Sequence, residues 1–206
     1  PWYARTANPR LSVVAVDCEI KGDMIRQFTS RHTNVTIAPH TITAQEVLAQ
    51  RPDGLFISNG PGDPRDVPGL AALVPALRGK LPIFGVCLGS QIIALSYGAK
   101  TYKMPVGHRG GNHPVEALAT GLVEITNQAH GYAIDRDSLK GTGLTETHRG
   151  LLDGTVEGIC CAADSAYGVL YHPDGALGPK GTPSFYDEFV RLMLEGKMAK
   201  EGNRNA

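Results

Sequence analysis

Four short, unbroken apolar runs constrain the fold of this chain most: L-S-V-V-A-V (11–16), V-T-I-A (35–38), G-L-F-I-S (54–58) and L-P-I-F-G-V (81–86). A strand with no polar alternation is suited to burial on both faces, and turn residues bound each of these runs. Candidate helices fall between and after them at about 22–32, 44–50, 68–78 and 89–98. This β-α-β-α alternation predicts an α/β fold, a doubly wound and mostly parallel sheet with flanking helices. After Gly98 the texture changes. K-T-Y-K-M, L-V-E-I-T-N, G-Y-A-I-D, G-L-T-E-T and G-I-C-C-A-A are separated by Gly, Asn and Asp turns and read as an antiparallel hairpin region supporting the first half.

The ends read differently. Residues 1–10 carry two prolines and no periodic pattern, so they are expected to be the end of a linker from an upstream segment. The main domain is expected over 11–198 and a short tail over 199–206. Phe185, Phe189, Leu192 and Met193 recur at roughly helical spacing, which predicts a closing helix with Pro183 in its first turn.

Composition narrows the function classes. With 206 residues, 42% hydrophobic and 19% charged, one globular core is the default. Twenty basic residues balance twenty acidic ones without a basic run, so neither nucleic acid nor an anionic membrane is an expected partner. The first ten residues lack a signal-peptide core and no apolar stretch is long enough to span a bilayer, which predicts a cytoplasmic location. Cys18, Cys87, Cys160 and Cys161 show no C-x-x-C spacing, so reduced thiols and no metal site are expected.

The chemistry centres on G-V-C-L-G (85–89), a cysteine flanked by glycines between an apolar strand and a helical pattern. This is the form of a nucleophile elbow. A tight strand-to-helix turn lifts the side chain out of the sheet, and the helix N-terminus favours its thiolate. The alternative is a buried core cysteine at a strand end, the reading also given to Cys18, Cys160 and Cys161. H-P-D (172–174) follows another strand-like run, Y-G-V-L-Y. Pro173 holds His172 extended, and side chains two apart point to one side, so Asp174 could orient the His172 imidazole as base for Cys87. Taken alone, His172 also fits a surface histidine before a turn. The third piece, S-N-G-P-G-D-P (58–64), is a turn at the carboxyl end of a core strand, where ligands of open parallel sheets bind. The N–H groups of Leu88 and of the loop around Gly60 could receive an oxyanion. The same loop also fits a plain turn, and it lacks the Lys-Ser/Thr ending of a phosphate loop.

These pieces in this order, with G-V-C-L-G-S-Q and Y-H-P-D, resemble the triad (class I) glutamine amidotransferases, whose fold is flavodoxin-like. The similarity covers roughly 11–196. Two further segments, 98–115 and Q-A-H-G-Y-A-I-D (128–135), are similar to the small subunits of carbamoyl phosphate synthetases within that superfamily. The resemblance implies that Cys87 forms a glutamyl thioester, that His172 shuttles protons and that Asp174 orients it, releasing ammonia and glutamate. It implies an oxyanion on Leu88 and Gly60, and L-glutamine held by Gly60, Gly62, Gln91, Ala129, Gly131 and Tyr132. It also implies no cofactor in this domain, ATP, bicarbonate and Mg being used by a partner synthetase, and a further N-terminal small-subunit domain that this chain lacks.

The chain departs from the family pattern at Ser90 (usually His), Ala129 (Asn), Asp174 (Glu) and Glu19 (Gly). Asp174 is one methylene short, and a displacement of about 1 Å can cost roughly a hundredfold in rate. These departures are expected to tune the site, since Cys87, His172 and Gln91 remain. Two rivals stay open. One is a silent amidotransferase-like domain with a structural or regulatory role on an ammonia-using synthetase. The other is a cysteine hydrolase of different substrate class on the same scaffold.

Overall fold

The expected alternation is the observed one. The computed structural model describes residues 2–174 and 184–202. Its first half runs Trp2–Ala4 (β1), Leu11–Asp17 (β2), Gly22–Thr29 (α1), Thr33–Pro39 (β3), Ala44–Ala49 (α2), Gly54–Ile57 (β4), Pro68–Leu77 (α3), Ile83–Val86 (β5) and Leu88–Ser96 (α4). The second half adds Thr101–Ala117 (β6), Leu122–Ile134 (β7), Thr145–Gly150 (β8), Val156–Cys161 (β9), Ala166–Val169 (β10) and Phe185–Gly202 (α5). All ten strands join one sheet in the order β1-β3-β2-β4-β5-β10-β9-β7-β6-β8.

The stretch β3-β2-β4-β5-β10 is parallel throughout. Its strands alternate between two cores, as a sheet buried on both faces must. Val14, Val16, Leu55, Ile57 and Ile83 pack with Leu70, Leu77 and Ile92 of α3 and α4. Val13, Ala15, Phe56 and Phe84 face Met24 and Phe28 of α1 and Tyr186, Phe189 and Met193 of α5. Helix α5 is the expected closing helix; it runs on to Gly202, beyond the expected domain end at 198. Pro183 and residues 203–206 lie outside the described residues.

Two elements differ from the sequence reading. Trp2–Ala4, inside the expected linker, adds an antiparallel strand to the edge of β3. Three residues cannot show a period, and Trp2 and Tyr3 stay exposed, so nothing local marks the strand. L-V-E-I-T-N and G-Y-A-I-D, read as separate strands, are one continuous β7. Its partner β6 is 17 residues long, with irregular register between Lys103 and His108 and between Gly110 and His113. Glycines that look like turns in the sequence are bulges in a long hairpin. β6 also pairs with β8, β8 with β9, and β9 with β7, so the four strands close on themselves.

Candidate active site

Cys87 joins β5 to α4 with φ 54° and ψ −107°, a conformation an L-residue holds only when its surroundings impose it. The flanking glycines impose it by their lack of bulk. A Cβ on Gly89 would stand 2.1 Å from the Ile57 carbonyl oxygen, and one on Gly85 would stand 2.4 Å from the Gly89 carbonyl carbon. The helix therefore seats directly on the sheet, and the strained turn falls on Cys87 alone. Its N–H donates to the Val169 carbonyl at 2.8 Å, fastening the elbow to β10.

The thiol is buried and donates to the Ala129 carbonyl at 3.9 Å. Burial pushes its pKa up to about 11, against the opposing pull of the Leu88 N–H and the Lys21 charge. The helix N-terminus thus acts in the expected direction, but desolvation outweighs it and the resting group is a thiol. Cys18 is likewise pushed up by burial, to about 12. Cys161 is buried and Cys160 half-buried, and all four cysteines are free.

Next to Cys87 lies a cavity of about 220 Å³ lined by Gly60, Gly62, Leu88, Gln91, Ala129, Gly131 and Tyr132, with Pro61, Arg109 and His130. Every residue assigned from the sequence to the oxyanion or to substrate is in this wall. Gly60 has to be glycine, because its Cβ would meet the Cys18 carbonyl oxygen at 2.4 Å. Gln91 donates from Nε2 to the Tyr132 carbonyl at 3.2 Å, while its Oε1 is buried with no partner among the described residues. A larger cleft of about 470 Å³, between α5 and the β6–β7 hairpin end, includes neither Cys87 nor Gly60.

The base side is less complete. His172 is buried and bridges to Asn127, its N–H donating to that carbonyl at 2.8 Å. Asp174 Oδ2 stands 3.8 Å from His172 Nδ1, too far for the expected hydrogen bond. Its other oxygen, Oδ1, accepts the Tyr186 hydroxyl at 2.6 Å. Lys21 Nζ takes the position at Nδ1, 3.1 Å away. An ammonium offers only hydrogens, so Nδ1 accepts and a neutral ring carries its proton on Nε2. Among the described residues Nε2 has no partner, and no hydrogen bond joins the ring to Cys87.

Lys21 had no signal in the sequence beyond its place after the carboxyl end of β2, the edge where such sheets bind ligands. The other departures sort by position. Ser90 is fully buried against Gly168 of β10 and is not in the cavity wall. Ala129 contributes its main-chain carbonyl, which accepts from the Cys87 thiol. Glu19 has φ 105°, outside the left-handed region that ordinary residues visit, so a position suited to glycine carries a strained side chain.

A strained cysteine elbow at a helix start, a glycine loop on the same cavity and a histidine just past the neighbouring strand have the arrangement of a candidate thiol acyl-transfer site. The family model "Glutamine amidotransferase class-I" matches residues 14–192, and the chain belongs to that family. More particularly, it is 46% identical over 193 residues to a carbamoyl phosphate synthase pyrimidine-specific small chain of Lactiplantibacillus plantarum, covering 94% of this chain and 53% of that one. It is 47% identical over 204 residues to a carbamoyl phosphate synthase small chain of Staphylococcus epidermidis, covering 99% of this chain and 55% of the relative. The chain therefore spans about half the length of these curated relatives. In fold it is similar to a putative GMP synthase subunit of Thermoplasma acidophilum, with TM-score 0.70, 19% identity, and 95% of this chain and 98% of that one covered. A glutamine amidotransferase of Thermotoga maritima gives TM-score 0.63 at 17% identity, covering 95% and 85% respectively.

Proposed function

We propose that the chain is the glutaminase unit of a carbamoyl phosphate synthetase, hydrolysing L-glutamine and passing the ammonia to a synthetase partner. The observation that carries this reading is the cavity whose wall brings Cys87, Leu88, Gly60 and Gln91 together, with Gln91 Oε1 buried and without a partner among the described residues. In this reading the sulfur attacks the side-chain amide carbon of glutamine. The Leu88 and Gly60 N–H groups receive the oxyanion, and Gln91 Oε1 accepts from the substrate ammonium. His172 takes the thiol proton and delivers it to the amide nitrogen, which leaves as ammonia. Water then cleaves the thioester to glutamate.

The resting geometry sets one requirement. With Lys21 on Nδ1 and the ring proton on Nε2, His172 has no lone pair for the thiol, so Lys21 has to withdraw before Asp174 can accept Nδ1–H. Engagement of a partner near β2 is a means of moving it. The remaining half of the relatives' length would supply the further small-subunit domain, and the amidotransferase unit would occupy about 11–198. ATP, bicarbonate and Mg would serve the partner, with no cofactor used here, in the cytoplasm. Among the described residues no helix is long and apolar enough to cross a membrane.

The 3.8 Å gap at Asp174 favours a second reading, a silent domain that docks on an ammonia-using synthetase. One experiment separates the two. Glutamate release is measured for wild type and Cys87→Ser, with and without the cognate synthetase, alongside mass detection of a glutamine-mimicking alkylator on Cys87. Partner-stimulated release that falls by at least ~10⁴-fold in Cys87→Ser supports hydrolysis. No release and no adduct, with the partner bound and working on ammonia, supports the silent domain.

A further inference from the structure

Behind the cavity wall, the closed group β6-β7-β9-β8 has a polar interior. Thr126, Gln128 and His130 alternate along one face of β7 and are all buried, with His108 of β6 and Glu157 of β9 beside them. Glu157 is the exceptional member: it has no exposure, and neither carboxylate oxygen has a hydrogen-bond partner among the described residues. A bare buried carboxylate is costly unless an opposite charge accompanies it.

The surrounding hydrogen bonds determine what faces that carboxylate. His130 Nδ1 lies 2.9 Å from the Tyr132 carbonyl, so it donates there, and a neutral ring turns the Nε2 lone pair inward. His108 Nε2 lies 2.9 Å from Asp153 Oδ2, so it donates outward and leaves Nδ1 facing in. Gln128 turns its amide nitrogen to Thr126 Oγ1 at 3.3 Å and its Oε1 to both rings. Two ring nitrogens, a carboxylate oxygen and an amide oxygen thus converge, each with a lone pair to offer. His108 Nδ1 is 3.3 Å from Glu157 Oε1 and 3.3 Å from Gln128 Oε1, and His130 Nε2 is 3.8 Å from Glu157 Oε1 and 2.5 Å from Gln128 Oε1. A tetrahedral ion with bonds of about 2.0–2.2 Å requires ligand–ligand edges of about 3.3–3.6 Å, close to three of these four distances.

We propose that His108, His130, Glu157 and Gln128 form a binding site for one divalent transition-metal ion of the zinc class. Two imidazoles with a carboxylate select this class over magnesium or calcium, which take all-oxygen sets. Asp153 on His108 and the Tyr132 carbonyl on His130 are the outer partners that fix ring tautomers in such sites. The ion would neutralise Glu157 and anchor β7 between Ala129, which receives the Cys87 thiol, and Tyr132, which receives Gln91. Metal binding stands independently of the glutaminase reading. The other occupant chemistry allows is a second proton on His108, whose pKa is pushed up to about 9 by Glu157 and Asp153.

The test is titration of the chelator-stripped full chain with Zn²⁺ by calorimetry, and with Co²⁺ by visible ligand-field absorption. One equivalent is expected, with a tetrahedral Co²⁺ spectrum. Glu157→Gln and His108→Ala are expected to weaken binding at least tenfold, and Asp153→Asn by about tenfold. A folded wild type that binds no Zn²⁺ and gives no Co²⁺ bands overturns the proposal and leaves protonated His108 as the occupant. So does binding that survives both ligand substitutions. The wild-type titration decides even where a variant fails to fold.

Discussion

The two limbs of the candidate site are built to different standards. The nucleophile limb is held by backbone: β5 pairs on both sides, α4 sits against Ile57 through Gly85 and Gly89, and the strain at Cys87 is imposed by that seating. The base limb is held by side chains at the end of β10. One bridge to Asn127 fixes His172, and its Nδ1 is met by Lys21 at 3.1 Å while Asp174 stays beyond hydrogen-bond reach at 3.8 Å. Close backbone packing leaves one arrangement, whereas side-chain partners can exchange. Under the proposed glutaminase reading, a site assembled from one limb of each kind keeps Cys87 permanently placed and leaves its activation to the other limb.

The comparison breaks most directly at the glycines. Gly89→Ala puts a methyl on the Ile57 carbonyl and is expected to cost about 3 kcal/mol or more, whereas Gly131→Ala, whose nearest neighbour is 4.0 Å away, stays within about 1 kcal/mol. Urea unfolding of both variants checks this, and equal losses would mean that the elbow is not packing-limited. Next in size is the pH dependence of the resting thiol. With a pKa near 11, the thiolate fraction grows about tenfold per pH unit below that value. Alkylation of Cys87 without a partner should therefore rise about a hundredfold from pH 7 to pH 9. A plateau near pH 7 would show a thiolate already formed.

On the base limb, Asp174→Glu adds the methylene that separates the carboxylate from Nδ1, and should raise partner-stimulated kcat by about tenfold. A fall in kcat would mean that the Tyr186 contact, not reach, positions the acid. The smallest effect is expected at Glu19→Gly, which relieves φ 105° and should gain about 1 kcal/mol in chemical denaturation. Its failure to stabilise would place the compensation in the Asp17 hydrogen bonds to the Glu19 and Ile20 N–H groups.

Much of the architecture is legible residue by residue. The runs at 11–16, 35–38, 54–58 and 81–86 sit inside or on the observed strands because a strand buried on both faces has no polar position to interrupt it. The elbow is equally plain in Gly85, Cys87 and Gly89, since close helix–strand approach admits no side chain. The long β6 is not, because Gly107, Gly110 and Gly111 carry turn signals that only pairing with β7 overrides. Trp2–Ala4 is a strand only because β3 offers it an edge.

Local pattern alone therefore determined the alternating parallel sheet and the glycine-flanked cysteine elbow, because each follows from a few neighbouring residues, whereas Gln91, Ala129, Gly131 and Tyr132 of the cavity wall were indicated only by the family resemblance. Tertiary packing decided that Lys21 reaches His172, that Asp174 falls short of it, and that His108, His130 and Glu157 meet behind the wall. Those relations depend on strand register and on differences of an ångström or less between segments far apart in the chain, which no local pattern encodes.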